Sequence, residues 1–237
     1  MMHLVSAFRN ASGRLAPYFA QVDALRTLAP DTRVMAVVGD SEDDTVEQIH
    51  RWADADQPQY RNSWFRYDHG RPEYGSTEVP DRLQALSGLL NASLDELQRY
   101  ITDTDTVIWL EGDTFWSPYL PLELARFLRR DAVDVVAPMI FAGEAFYDTF
   151  AFRQPDETRW GPFWPWGRIT DFTDPRPLAE VGSVGSCVAM RGVVAKTIRV
   201  SDNYALVGWC RAARAAGHRV WVAKDLRVQH PCDLEGR

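Results

Sequence analysis

The sequence has few cysteines and no long apolar run. Its 237 residues include three cysteines, Cys187, Cys210 and Cys232, which is a small and odd number. Such usage is typical of reduced thiols in a cytosolic protein rather than of a disulfide framework. No apolar stretch approaches the roughly 18 residues that a membrane-spanning helix needs, and residues 1–9 lack the pattern of a signal peptide. We therefore expect a cytoplasmic protein without a membrane anchor.

The sequence also lacks an excess of positive charge. Its 26 Lys and Arg residues are outnumbered by 33 Asp and Glu residues, and the formal net charge is −7. An extended surface for nucleic acid is therefore disfavoured, although a local basic patch is compatible with this balance. The length and the 46% hydrophobic content fit one α/β domain. We expect a single domain over residues 1–237.

Aromatic residues are concentrated in one segment, residues 153–168. Here three arginines are interleaved with three of the chain's nine tryptophans and a phenylalanine: Arg153, Arg159, Trp160, Phe163, Trp164, Trp166 and Arg168. Flat aromatic faces stack on sugar rings or bases, and arginines contact phosphates. The alternative is a small aromatic core held by neighbouring prolines. If the segment binds a ligand, we expect that ligand to be the acceptor of a reaction.

The first half of the chain alternates predicted strands and helices. Strands are predicted at Met2–Phe8, Val34–Val38, Trp64–Tyr67 and Val107–Leu110. Helical spacing of apolar residues predicts helices from Leu15, over Val46–Ala53 and over Leu83–Leu97. This order favours a mostly parallel sheet with helices on both faces, an α/β fold. In such sheets ligands bind beyond the carboxyl ends of the strands.

The second half is less regular. Helices are predicted at Pro118–Arg129 and Asn203–Ala216, and strands at Val133–Ile140, Val181–Met190, Val220–Ala223 and Leu226–Val228. Residues 142–180 are rich in aromatics, proline and arginine, and we predict a long, partly ordered excursion there.

Two carboxylates follow the buried run Val107–Leu110. Glu111-Gly112-Asp113 ends this predicted strand, and side chains two residues apart on extended backbone point the same way. Two like charges held so close repel each other unless a cation lies between them. Hard cations take oxygen ligands and often share them with phosphates. The motif favours a metal site for a nucleoside diphosphate, and the alternative is a solvated turn.

The order of five motifs resembles that of nucleotide-sugar glycosyltransferases with the GT-A fold, over nearly the whole chain. Residues 5–10 look like their first strand and donor-binding loop, and residues 39–45 are similar to the acidic D-G-S-x-D-x-T turn of family 2 enzymes. Glu111-Gly112-Asp113 occupies the place of the D-x-D metal motif. Ser201-Asp202 and the helix after it resemble the E-D element, and His230 stands where many members place a third metal ligand.

The middle of the chain is similar to a subgroup, the fungal Golgi and capsule-associated mannosyltransferases. The similar segments are residues 107–113, 135–138, 147–148 and 181–186. Two positions depart from the family pattern. Glu111 replaces the Asp that usually starts the metal motif, and Ser201 replaces the Glu that usually precedes the catalytic Asp.

The resemblance implies a divalent cation, Mn²⁺ or Mg²⁺, and a UDP- or GDP-sugar as donor. It implies Asp113 and Glu111 as ligands of the metal and the donor, with His230 completing the metal site. An imidazole beside oxygen ligands favours Mn²⁺ over Mg²⁺. The cation would neutralise the negative charge that gathers on the leaving diphosphate.

Further roles follow from the same resemblance. It implies a contact between Asp40 and the nucleobase or ribose. Arg9 can hold the diphosphate by two parallel hydrogen bonds, and Tyr147 and Asp148 can contact the transferred sugar. Asp202 is the candidate general base for the acceptor hydroxyl, and its structural alternative is a helix N-cap. Nucleotide binding is expected from residues 1–113 and acceptor binding from residues 114–237.

We therefore predict a metal-dependent glycosyltransferase that moves a hexose onto a hydroxyl of a glycan or a small metabolite. One alternative acceptor is a hydroxymethylated base in DNA, which the arginine–aromatic segment permits and the net acidity disfavours. A second alternative is a nucleotidyltransferase, although only Gly13 stands where such enzymes usually carry a glycine-rich phosphate loop. The third is an inactive sugar-binding module. A base at Asp202 implies inversion of the sugar carbon, whereas the mannosyltransferase subgroup includes retaining enzymes.

Overall fold

The computed structural model of the protein describes residues 1–55, 62–74, 78–130, 133–147, 150–159 and 176–231. These residues include all five motifs that carry the resemblance. Asp148, Cys232 and residues 160–168 of the arginine–aromatic segment lie outside the described residues.

The amino-terminal half alternates strands and helices, as the hydrophobic pattern predicts. Four parallel strands, in the order β3-β2-β1-β4, are β1 (Met2–Phe8), β2 (Arg33–Val38), β3 (Asn62–Arg66) and β4 (Thr106–Leu110). The helices between them are α1 (Leu15–Leu28), α2 (Thr45–Asp54) and α3 (Pro80–Leu97). Because parallel strands are joined by crossovers, all four strands end at the same edge of the sheet.

The carboxy-terminal half adds antiparallel pairs. Its strands are β5 (Val135–Ala142), β6 (Ala145–Phe146), β7 (Leu178–Val181), β8 (Cys187–Arg191) and β9 (Val220–Gln229), and its helices are α4 (Leu120–Leu128), α5 (Gly192–Thr197) and α6 (Ala205–Ala215). The described strands form one sheet in the order β3-β2-β1-β4-β8-β5-β9-β7, with β6 paired to β5. Because β8 is antiparallel to both β4 and β5, and β9 is parallel to β5, β9 ends at the same edge as β4.

The prediction of one strand over Val181–Met190 is wrong. Residues up to Val181 pair with β9, and residues from Cys187 pair with β4 and β5. The break falls at Gly182, where an added Cβ would stand 2.0 Å from the Gln154 carbonyl oxygen. The chain leaves the sheet here, and the Gly182 N–H donates to the Arg153 carbonyl oxygen at 2.7 Å.

The two predicted strands within residues 220–228 are instead one strand, β9. Its register against β5 shifts between Pro138 and Met139, which marks a bulge. The polar residues that separate the two apolar runs belong to this irregular stretch. The short helix α5 was not predicted, because six residues give too little periodicity to distinguish it from a loop.

The predicted apolar stripe of α1 packs on the sheet. Leu15, Tyr18, Val22 and Leu25 are buried. The Tyr18 hydroxyl donates to the Ser6 Oγ in β1 at 2.9 Å, and burial raises the pKa of Tyr18 to about 12. This packing fixes the start of α1 at the edge of the sheet where the parallel strands end.

Two further expectations concern cysteines and membranes. Cys187 and Cys210 are buried free thiols. None of the helices in the described part of the chain is long and apolar enough to span a bilayer.

Candidate active site

The turn after β4 carries both carboxylates of the predicted metal motif. The Glu111 N–H donates to the Ser186 carbonyl oxygen at 2.9 Å, and the Thr114 hydroxyl donates to the Glu111 carbonyl oxygen at 2.7 Å. Gly112 lets this turn lie against β1, because an added Cβ would stand 2.2 Å from the ring of Phe8. The end of β4, these two hydrogen bonds of Glu111 and the close approach of Gly112 to Phe8 therefore fix the direction of the turn.

The end of β9 is tied to the same turn. Phe115 and Gln229 exchange two backbone hydrogen bonds, of 2.7 and 2.8 Å. The next residue, His230, donates its N–H to the Phe141 carbonyl oxygen in β5 at 2.7 Å. These bonds bring together residues that are about 90 to 115 positions apart in the sequence.

Gln21 of α1 supports the turn from the other side. Its Nε2 donates to the Thr114 carbonyl oxygen at 3.3 Å, and its Oε1 accepts from the Trp116 N–H at 2.6 Å. One amide side chain thus satisfies two backbone groups that would otherwise lose their partners in the fold.

Glu111, Asp113 and His230 form one cluster, as the resemblance implies. One ligand atom of each residue lies within 4.8 Å of the others. Bonds of about 2.0–2.6 Å around a hard cation produce separations of this size between its ligands. The His230 Nε2 lies 3.6 Å from the Asp113 Oδ2, and Nη1 of Arg14 lies 3.5 Å from the same oxygen.

His230 presents a lone pair to this cluster. Its Nδ1 lies 3.2 Å from the Pro231 carbonyl oxygen, which can only accept, so in neutral imidazole the proton is on Nδ1. Burial lowers the pKa of His230, although the Asp113 carboxylate opposes that shift. The neutral ring therefore turns the lone pair of Nε2 toward a carboxylate oxygen, and a cation between the two atoms would relieve their repulsion. The donor set fits a divalent metal.

Tyr147 contacts the cluster through its ring. The ring stacks on that of His230 with centroids 3.9 Å apart and planes 13° from parallel. The resemblance implies a contact between Tyr147 and the transferred sugar, and the structure places Tyr147 beside a candidate metal ligand. Asp148, the other predicted sugar contact, lies outside the described residues.

The loop after β1 is bound to the loop after β2. The Asn10 side chain accepts from the Glu42 N–H at 2.9 Å, and the Ser12 N–H donates to Asp43 at 3.0 Å. Burial opposes ionisation of Asp43, but hydrogen bonds from Thr45 and Ser12 prevail and lower its pKa to about 2. The predicted D-G-S-x-D-x-T-like turn is thus a structured part of the edge.

Arg9 and Asp40 both hold the segment after β3. Arg9 donates to the carbonyl oxygens of Arg71 and Pro72 at 2.9 and 3.1 Å. Asp40 has a positive φ of 45° and accepts from the N–H groups of His69 and Gly70 at 2.8 and 3.2 Å. Their predicted contacts with the diphosphate and the nucleoside stay predictions. In the structure, both side chains instead fix the segment after β3 beside the edge where the parallel strands end.

Asp202 lies at the start of α6, apart from the three-residue cluster. Its Oδ1 accepts from the Tyr204 N–H at 3.1 Å, and its Oδ2 pairs with Arg211. Arg211 also donates to Glu157 at 3.0 Å. Tyr204, rather than Asp202, is the N-cap residue of α6. The catalytic assignment of Asp202 stays a prediction.

A cavity of about 350 Å³ lies beside the segment that Arg9 and Asp40 hold. It is lined by the segment after β3, by α3 and by the start of α6: Tyr67, His69, Arg71, Gln84, Ala85, Ser87, Gly88, Asn91 and Asn203. Asp40 borders this space through its contact with His69, and Asp202 is the neighbour of Asn203. The volume is within the range of small-molecule sites.

Comparison with known proteins identifies the architecture. No protein-family model and no curated protein sequence matches this chain. Among solved structures, the mannosyltransferase PcManGT from Pyrobaculum calidifontis, in complex with GDP-Man and Mn²⁺, matches with a TM-score of 0.63 at 12% identity over 99% of this chain. The chain has the GT-A fold.

Two further structures share the GT-A fold with this chain. Residues 1–349 of S. aureus TarS, in complex with UDP-GlcNAc, give a TM-score of 0.61 at 11% identity over 98% of this chain. GalNAc-T7 with UDP, GalNAc and Mn²⁺ gives 0.59 at 13% identity over 100% of it. The chain spans 58% of the PcManGT and TarS chains and 44% of the GalNAc-T7 chain.

Sequence reasoning missed Arg14 and Gln21. Arg14 is the N-cap residue of α1, and Gln21 lies in the same helix outside its buried apolar stripe. Polar residues on a helix surface are usually solvated, so no local signal distinguishes these two. Only the position of α1 beside the turn after β4 reveals them.

Proposed function

We propose that this chain is a metal-dependent glycosyltransferase that moves a sugar from a nucleoside diphosphate sugar to an acceptor hydroxyl. The observation that carries the proposal is the cluster of Glu111, Asp113 and His230 within 4.8 Å, at the edge of a GT-A sheet where parallel strands end. Ligands of open α/β sheets bind at this edge. The Mn²⁺ and nucleotide sugars in the matched structures are those proteins' ligands, and they support the same class of ligand here.

The three clustered side chains would hold the cation. A bound divalent metal acts as a Lewis acid and stabilises the charge that develops on a leaving diphosphate. Asp113 and Glu111 supply oxygen ligands, and His230 supplies the lone pair of Nε2. The fixed turn keeps these atoms oriented before a ligand arrives, which lowers the cost of binding.

The nucleoside would occupy the cavity beside Asp40. His69 and Arg71 of the segment after β3 and Ser87 and Asn91 of α3 line this cavity. Because Arg71 and Asn91 already bond to protein groups, a nucleoside would have to share or replace those bonds. Asp202 would accept the proton of the acceptor hydroxyl. Its Oδ2 pairs with Arg211 in the structure, so this role requires the pair to open when the acceptor binds.

A thermal-shift screen tests the proposal. Ligands that bind only the folded state stabilise it and so raise the melting temperature. At a ligand concentration one hundred times the Kd, the free energy of unfolding rises by about 2.7 kcal/mol. We expect UDP or GDP to raise it strongly with Mn²⁺ and weakly without it. Asp113→Ala should abolish the Mn²⁺-dependent part, and Asp54→Ala, at the far end of α2, should retain it.

Product analysis separates the alternative functions. Incubation with nucleotide sugars and an acceptor should release UDP or GDP together with a glycosylated acceptor. A nucleotidyltransferase would instead leave nucleotide sugars intact and release pyrophosphate from a nucleoside triphosphate and a sugar phosphate. Parallel reactions with oligosaccharides and with hydroxymethylated DNA distinguish the two acceptor classes. A sugar-binding module would bind the nucleotide sugar without turnover, and binding would survive Asp113→Ala.

A further inference from the structure

Arg14 faces the candidate metal site from the start of α1. Its Nη1 lies 3.5 Å from Asp113 Oδ2, the same oxygen that faces His230 Nε2 at 3.6 Å. The Arg14 side chain is 49% exposed, so it is accessible to a ligand. The Asp113 side chain is 29% exposed, so a cation can still reach its carboxylate beside Arg14.

The backbone around Arg14 adds to this positive character. Arg14 is the N-cap residue of the fourteen-residue helix α1, and within the described chain no side chain caps that helix terminus. Its first N–H groups and the helix dipole therefore favour an anion in front of them. Asp113 supplies the negative charge that pairs with Arg14 beside this helix terminus.

The charge of the site reverses when a divalent cation binds. Glu111 and Asp113 bring two negative charges, and Arg14 brings one positive charge. The site is therefore anionic by itself and cationic once a divalent metal is present. Asp113 then faces the metal, and the guanidinium loses its carboxylate partner while gaining a positive neighbour.

We propose that Arg14 is a diphosphate-binding residue whose guanidinium pairs with Asp113 only until a divalent cation takes that carboxylate. This inference rests on the proposed function and extends it to the residue that receives the diphosphate once the metal is bound. The planar guanidinium matches two phosphate oxygens, as an ammonium group does not. Arg14 opposes the metal alone and favours the metal together with the anion.

The two effects have opposite signs, and this makes the test sharp. For Arg14→Gln we expect Mn²⁺ alone to bind about three- to tenfold more tightly, since one like charge is removed. In saturating Mn²⁺, GDP and UDP should bind at least about tenfold more weakly, since a charge-assisted contact is lost. Free Mn²⁺ is measured by electron paramagnetic resonance and nucleotide binding by calorimetry.

Two variants control the experiment. Arg99→Gln removes the same charge from a surface pair with Glu96 beyond the far end of α3, and both affinities should match the wild type. Arg14→Lys keeps the charge but loses the planar fork, so Mn²⁺ should bind as in the wild type while the nucleotide binds more weakly. Tighter Mn²⁺ binding by Arg14→Gln also shows that this variant is folded.

Three results would overturn the inference. Arg14→Gln with both affinities unchanged, or with both weakened, assigns Arg14 no more than a structural role and leaves the proposed function intact. Equal nucleotide affinity for Arg14→Lys and the wild type would show that Arg14 makes no bidentate contact with the diphosphate. Wild-type protein that binds neither Mn²⁺ nor a nucleotide overturns the proposed function and this inference together.

Discussion

Single residues at the candidate metal site have proposed roles that variants can separate, and Tyr147 is the clearest case. Its ring stacks on the His230 ring at 3.9 Å between centroids. Aromatic contacts of this kind contribute about 0.5–1.5 kcal/mol beyond burial. We therefore expect Tyr147→Ala to weaken Mn²⁺ binding about two- to tenfold, because the imidazole loses the surface that orients it. Calorimetry with Mn²⁺ alone measures this change.

Tyr147→Phe distinguishes this role from a sugar contact. The variant keeps the stacked ring and removes the hydroxyl, so Mn²⁺ affinity should remain at the wild-type value. If the hydroxyl contacts the transferred sugar instead, Tyr147→Phe lowers kcat/KM for the donor and Tyr147→Ala leaves Mn²⁺ affinity unchanged. That pair of results would contradict the positioning role.

The candidate metal ligands also show what a sequence can reveal about single residues. Glu111 and Asp113 were predictable because two acids follow a buried strand, a pattern with a physical reason. His230 was predictable only from its place in the family order, since one histidine after a strand carries no local signal. Arg14 belongs to a helix terminus that is polar for many reasons, and its role depends on a contact with a distant turn.

At the scale of elements, α1 and the turn after β4 form a coupled pair. Gln21 satisfies the Thr114 carbonyl and the Trp116 N–H, and Trp116 is 6% exposed. Gln21→Leu leaves both backbone groups unpaired, so we expect a loss of about 1–3 kcal/mol in the free energy of unfolding. Mn²⁺ affinity should fall as well, because the turn carries two ligands. Urea denaturation and calorimetry measure the two effects.

Gln21→Glu provides a matched comparison. Its carboxylate can still accept from the Trp116 N–H but cannot donate to Thr114, so the loss of stability should be smaller than for Gln21→Leu. Unchanged stability and metal affinity in Gln21→Leu would show that α1 does not support the turn.

The strands show where sequence patterns stop being informative. The parallel first half was predictable because apolar runs alternate with helical stripes. The split of residues 181–190 was not, because the approach of Gly182 to Gln154 is a tertiary contact. The same holds for β9, whose continuity comes from pairing with β5 across a bulge. Short apolar runs in the sequence indicate that strands are present, but the neighbouring strands with which they pair determine where each strand ends.

At the scale of the whole molecule, the pH dependence of stability should reflect buried histidines. His3 is 2% exposed, and burial lowers its pKa from 6.5 to about 4, although Asp105 opposes the shift. Between these pH values the unfolded chain binds a proton that the folded chain excludes. The free energy of unfolding therefore falls as the pH falls from 6.5 to 4, by about 2–3 kcal/mol for this group.

His3→Asn isolates that contribution. Denaturation at pH 7 and pH 4.5 should show a smaller loss of stability for the variant than for the wild type, whatever its stability at pH 7. His230 adds a loss of the same sign to both proteins, because burial lowers its pKa too. An identical loss in both proteins would mean that His3 titrates normally in the fold.

The complete fold brings the functional residues to one edge of the sheet. The GT-A resemblance anticipated the architecture and the three-residue cluster, since the order of motifs reflects the order of strands. The interactions of Asp40, Arg9 and Asp202 with neighbouring loops were not predictable, because they depend on how those loops pack. These contacts order the crevice that the proposed donor would enter.

Diffraction at the manganese absorption edge tests the central claim most directly. Crystals grown with Mn²⁺ and GDP or UDP should show an anomalous peak among Glu111 Oε, Asp113 Oδ2 and His230 Nε2, with a phosphate oxygen also bound to the metal. A bound nucleotide without a peak at this position, or a peak held by other side chains, would contradict the account.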